Sequence, residues 1–204
     1  AFVHLGSASF SSSTQYITNS PTSSGAFFME VYNKNPHSDT TAEVQYSIAY
    51  GSKTGLGGLQ FNDGAGAENI GSTKAIYSQY RNLVFGNETS KFTFGNHTPD
   101  SIYVINVNRS RYKQKLSPGS LNLHISGSPV EGTGSGGGAN DIIHLTDDSV
   151  TVGSFENTNL GPMYKVVSGS NGVMSGSNLQ QTAFGSYGFF YPDAGFIVFN
   201  ATAI

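Results

Sequence analysis

The chain has 204 residues, a formal net charge of −3 and only 11% charged side chains, against roughly 25% in ordinary globular proteins. It has no Cys, which excludes disulfides, thiol nucleophiles and thiolate zinc sites. The acidic balance argues against a nucleic-acid or anionic-membrane partner, and no run approaches the roughly 18 apolar residues of a membrane span.

Abundant Gly, Ser, Thr and Asn beside 11 Tyr and 14 Phe read as a β protein with many turns. The low charge suits a subunit covered by neighbours, or a secreted protein with a polar, uncharged surface. No signal-peptide pattern opens the chain. Its start at Ala1 without Met reads as processing or as a piece of a longer protein.

Residues 7–25 are rich in Ser and Thr and read as an extended arm or two weak strands. Residues 26–33 read as a strand. Residues 43–50 alternate through Val44, Tyr46, Ile48 and Tyr50, so one face is expected to be buried. Residues 51–71 hold seven Gly and read as a long loop, of the kind that is often functional.

Ser72–Phe85 predicts the one convincing helix. Ser72 or Thr73 can cap its start, and Gly86 stands where helices commonly end. Ile76, Tyr80, Leu83 and Val84 form its apolar stripe, with Lys74 and Arg81 outward. Residues 91–94 read as a short strand and Ser101–Val107 as a stronger one. Pro118-Gly119 is a turn, after which residues 120–126 alternate through Leu121, Leu123 and Ile125. Residues 127–140 form a Gly/Ser loop. Strands are then expected over 141–152 and 163–168.

The most informative stretch is 185–200. Two dense aromatic runs flank Pro192-Asp193-Ala194-Gly195, a sequence with turn chemistry at each position. Residues 187–199 therefore predict an antiparallel hairpin, with Phe189, Phe190, Tyr191 and Phe196 placed in a core or an assembly contact. These patterns together predict a mainly β chain, sandwich or barrel-like with antiparallel sheets, with one helix near 72–85. The domain reading is an N-terminal arm over 1–25 and one β-rich domain over 26–204.

Chemistry is thin. Arg109, Arg111, Lys113 and Lys115 place four of the ten basic residues within seven positions. A strand would put all four on one face, and a helix would pair them at i, i+4. The expectation is a contact with an acidic neighbour, such as the Asp147/Asp148 element of another subunit, rather than nucleic acid. His144, Asp147 and Asp148 lie close in sequence, but no second His has ligand spacing, and Thr146-Asp-Asp-Ser149 is ordinary turn chemistry. The Gly-rich stretches lack the Lys-Ser/Thr of a phosphate loop, and no Gly-x-Ser-x-Gly elbow occurs. Sequons stand at Asn87, Asn96, Asn108 and Asn200. The expectation is no enzyme, no cofactor and no metal.

Residues 101–123 (SIYVINVNRSRYKQKLSPGSLNL) resemble a segment of virion structural proteins from tailed phages of marine cyanobacteria. Leu145-Thr-Asp-Asp-Ser149, Tyr164-Lys-Val-Val-Ser-Gly169 and the stretch from Tyr187 to Gly195 are similar to further elements of that family, in the same order. Residues 26–33 and 77–85 are also similar, so the resemblance spans most of 26–200. It implies a tail or baseplate-type structural subunit, found in the virion and assembled in the host cytoplasm. Its expected partners are copies of itself and other virion proteins, with no nucleic acid and no membrane. The family supplies no catalytic residues. The chain departs from it in its short length and in the long 127–140 stretch. A role as a carbohydrate- or receptor-binding β domain is the alternative, and capsid decoration also fits. The loops 51–71 and 127–140 and the 7–25 arm are expected to be ordered by neighbouring subunits, because they hold too few apolar residues to offset the entropy themselves.

Overall fold

A computed structural model describes residues 15–16, 28–36, 38–55, 72–126, 142–153, 155–175 and 185–204. Most of the expected arm and of both long Gly-rich loops lies outside the described residues. Of the residues described, 42% are in strands and 15% in helix, so the chain is mainly β with one main helix.

The strands are β1 (Gln15–Tyr16), β2 (Phe28–Tyr32), β3 (Val44–Ser52), β4 (Ser101–Val107), β5 (Leu123–Ser126) and β6 (Ile142–Asp147), then β7 (Glu156–Thr158), β8 (Gly161–Ser170), β9 (Val173–Met174), β10 (Gly188–Tyr191) and β11 (Phe196–Asn200). The helices are α1 (Ser72–Phe85) and the single turn α2 (Ser149–Val152). Nine strands form one continuous curled sheet in the order β1-β2-β3-β4-β11-β10-β8-β6-β5. Short β7 and β9 pair with β8 off this path, and every pairing is antiparallel.

The expected hairpin forms the middle of the sheet. Tyr191 pairs with Phe196 across the Pro192–Gly195 turn, and β11 lies between β10 and β4. All five β11 residues are buried, because both faces of the sheet are covered here. Ile197 and Phe199 join Ile105, Val107, Leu145, Val166 and Phe190 in one core. Phe196 and Val198 point the other way, into a second core with Ile102, Val104 and Tyr191. Helix α1 and the aromatic segment after it close that second face through Tyr77, Val84, Phe92 and Phe94. A run apolar at every position is what a strand buried on both faces requires.

Helix α1 has the expected bounds. The N–H of Gly86 bonds the Asn82 carbonyl at 2.8 Å, with Gly86 in the left-handed region, which is the expected C-terminal stop. The buried stripe is shifted, however. Thr73, Tyr77 and Val84 face the core, Ile76 and Tyr80 are half-buried, and Leu83 is exposed. The Tyr77 ring meets the edge of Phe92 at 5.6 Å, so the helix turns toward the aromatic segment and rolls Leu83 outward. Arg81, expected outward, is half-buried with its Nε enclosed.

Three other expectations change. Residues 91–94 form no strand. Phe94 and His97 make only an isolated bridge around Gly95-Asn96. The expected 141–152 strand ends at Asp147, where the Asp147 carboxylate accepts the Ser149 N–H at 3.2 Å and the chain turns into α2. The strand expected over 163–168 is longer, running over Gly161–Ser170, and it turns through Asn171-Gly172, both at positive φ, into β9. That is the residue pair a two-residue hairpin favours.

Candidate assembly surface

The basic run is neither strand nor helix. The Asn108 carboxamide accepts the Ser110 N–H at 3.0 Å and caps a 3-10 turn over Arg109–Arg111. Arg109 then folds back. Its guanidinium donates to the carbonyls of Tyr112 and Lys113 and lies 4.6 Å from the centre of the Tyr112 ring. Arg111 pairs with Glu43 of the same chain. Only Lys113 and Lys115 stay exposed without such a role. The expected four-charge face is therefore not formed, because two of its members are engaged within the chain.

The expected acidic counterpart is not on the surface either. Asp147 and Asp148 are buried. The Asp147 carboxylate accepts the Gly119 N–H with both oxygens, at 2.9 and 3.0 Å. Asp148 accepts the Lys165 N–H at 3.0 Å. Burial pushes the Asp148 carboxyl above its ordinary value, the bond from Lys165 opposes that rise, and the nearby Asp147 charge adds to it. The Thr146 hydroxyl accepts the Gly172 N–H at 2.8 Å. Thr146-Asp-Asp-Ser149 is thus a polar clamp joining the Pro118-Gly119 turn, α2 and the β8–β9 turn.

Among the four aromatic residues expected at a contact, Phe190, Tyr191 and Phe196 are buried within the chain's own two cores. Phe189 is half-buried and stacks on Phe94 at 4.8 Å. The first three lie in the interior of the chain.

A different surface is presented. Four of the six large apolar side chains exposed among the described residues are Val150, Val152, Phe155 and Val173. The Val150 N–H donates to the Gly172 carbonyl at 3.2 Å, which sets Val150 beside the β8–β9 turn and hence beside Val173. Phe155 rests its ring against Tyr164 at 5.9 Å, next to the Lys165 that bonds Asp148. The polar clamp fixes the backbone beneath these side chains. Val150 and Val173 thus form a small apolar corner on a braced support, at 61% and 52% exposure.

The described residues also border two cavities. One of about 400 Å³ lies at the end of α1, with Phe85, Lys91, Glu156, Asn159 and Phe189 in its wall. The other, shallow and about 580 Å³, is bordered by His144, Ser168, Ser170, Ser175 and Tyr187. Strand alternation points His144 outward and Leu145 into the core, so His144 and the buried Asp147 do not converge. Instead, β5 and β6 register His124 directly opposite His144, with ring centres 4.2 Å apart. Sequence reasoning missed this pair. The matched alternation of Leu123 and Ile125 with Ile143 and Leu145 was the available clue. Among the described residues, no group of three or more His, Asp or Glu side chains is arranged to hold a metal, and no helix is long and apolar enough to cross a membrane.

No family model, curated protein or solved structure matches this chain.

Proposed function

We propose that this chain is a non-enzymatic structural subunit of a phage particle, of the tail or baseplate, that acts by assembling with copies of itself and with other virion proteins. The observation that carries the assembly reading is the apolar corner of Val150 and Val173. Grouped exposed apolar side chains on a soluble domain mark interaction surfaces, and a rigid support lowers the entropy lost on association. The low charge content supports the same reading. The phage assignment rests on the ordered sequence elements of residues 26–200.

The test is the double substitution Val150→Lys and Val173→Lys. Both side chains are exposed, so the monomer should stay folded by circular dichroism while self-association in sedimentation, or incorporation into particles, is lost. A folded variant that assembles like the wild type removes this corner from the interface. A wild-type chain that stays monomeric and is absent from purified particles overturns the reading itself.

The cavity at the end of α1 favours a second reading, a glycan- or receptor-binding domain. Aromatic rings of Phe85 and Phe189 beside Lys91, Glu156 and Asn159 combine an apolar face with hydrogen-bonding groups, as sugar sites require. Glycan binding by the monomer, abolished by Asn159→Ala, would move the assignment to this reading.

A further inference from the structure

We propose that His124 and His144 form a two-imidazole site for a late first-row divalent cation, Zn²⁺, Ni²⁺ or Cu²⁺, which staples the terminal strand β5 to β6. The inference does not depend on the function proposed above.

The two residues are direct cross-strand partners, and their rings meet edge to face with centres 4.2 Å apart. Both residues are exposed, so an ion can approach the pair from solvent. Zn–N bonds are about 2.0–2.1 Å, and a tetrahedral ion holds two ligand nitrogens roughly 3.3 Å apart. Rings already at this separation need only to turn about their side-chain bonds to present one nitrogen each. Imidazole is a preferred ligand of Zn, Ni and Cu, whereas Mg and Ca favour oxygen.

The surroundings leave room for the rest of a coordination shell. His144 borders the shallow cavity that also holds the Ser168, Ser170 and Ser175 side chains. Two imidazoles supply half of a tetrahedron, and water fills the remaining positions. The backbone fixes the pair from below. Leu145 is fully buried, and Leu123, Ile125 and Ile143 pack on the same core, so neither strand can slip register without exposing that set. Two histidines held opposite one another lose less freedom on binding an ion than two unconstrained ones.

Strand β5 has only four residues and stands at the end of the sheet path. Among the described residues its one ladder is with β6. An ion shared by His124 and His144 ties this ladder at its middle. Its effect is therefore expected on β5 before any other strand.

The experiment titrates the full chain with Ni²⁺ and follows the histidine ring resonances by NMR. The His124 and His144 resonances should respond together at the same ion concentration. Either His124→Ala or His144→Ala should weaken the response of the remaining ring at least tenfold, and His97→Ala should leave it unchanged. Mg²⁺ at equal concentration should have no effect. Zn²⁺ should slow hydrogen exchange of the β5 amides in the wild type and in neither paired variant. Independent responses of the two rings, equal affinity in a paired variant, or unchanged β5 exchange would overturn the site. Circular dichroism checks that each variant keeps the wild-type fold.

Discussion

Asp147 holds Gly119 across 28 residues of chain, its two carboxylate oxygens sharing one backbone N–H at 2.9 and 3.0 Å. The carboxylate is fully buried, and it also accepts the Ser149 N–H. One side chain thus ends β6, starts α2 and pins the Pro118-Gly119 turn. The same clamp braces the apolar corner at Val150 and Val173.

Asp147→Ala should therefore destabilise the chain by about 2–3 kcal/mol, because it removes charge-assisted bonds and strands two donors. Asp147→Asn retains one acceptor and should cost less. Urea unfolding of the three proteins provides the measurement. A loss below about 0.5 kcal/mol for Asp147→Ala would show that the clamp is dispensable.

Asp148 gives a pH dependence of definite sign. Burial raises its carboxyl above the ordinary value in the folded chain, so the folded state keeps a proton that the unfolded state has already released. Stability then falls as pH rises from about 3.9, the unfolded value, through the folded value, and levels off above it. Asp148→Asn removes this term and keeps an acceptor for the Lys165 N–H. The variant should gain stability relative to wild type above the window, and this advantage should shrink on acidification through it. A stability difference that is flat from pH 3 to pH 7 would contradict the assignment.

Gly195 and Gly153 separate backbone strain from crowding. Both have positive φ, +76° and +64°. A Cβ at Gly153 would meet nothing within 4 Å, whereas one at Gly195 would run into the Tyr112 ring. Gly153→Ala should cost about 1–2 kcal/mol, the left-handed penalty alone. Gly195→Ala adds overpacking of about 1–3 kcal/mol at the central hairpin turn. Equal losses in thermal unfolding would mean that Tyr112 moves aside freely.

The legible parts of this fold are those whose cause is local. Ser72–Phe85 ends where Gly86 can adopt a left-handed conformation. The Phe196–Asn200 hairpin arm follows from Pro192–Gly195, and β4 follows from a run dense in β-branched residues, Ile102, Val104, Ile105 and Val107. Where tertiary contacts decided the outcome, the sequence misled. The Leu83 side chain fits the helical period but is rolled outward, because Tyr77 meets Phe92. The exposed corner was illegible because Val150 and Val173 are far apart in sequence and form no pattern; the Val150 N–H bond to the Gly172 carbonyl brings them together. His124 and His144 lie in two strands whose apolar alternation is visible in sequence, but the register that sets them opposite one another is fixed only by the β5–β6 pairing.

The basic run makes the same point and is open to direct test. Read as a string, Arg109, Arg111, Lys113 and Lys115 are equivalent. In the fold they are not. Arg109 donates to two carbonyls and covers the Tyr112 ring, and Tyr112 is itself buried in the core beneath the central hairpin. Arg111 has a single partly exposed carboxylate partner, Glu43. Lys113 and Lys115 are exposed. Arg109→Ala should cost about 1–2 kcal/mol, combining lost hydrogen bonds with a cation–π contact. Arg111→Ala should cost at most about 1 kcal/mol, as for a surface ion pair, and less at high salt. Lys113→Ala and Lys115→Ala should stay within about 0.5 kcal/mol of wild type. Denaturant titration of the four variants at two salt concentrations gives the ranking. Four equal effects, all screened by salt, would restore the picture of one undivided charged face.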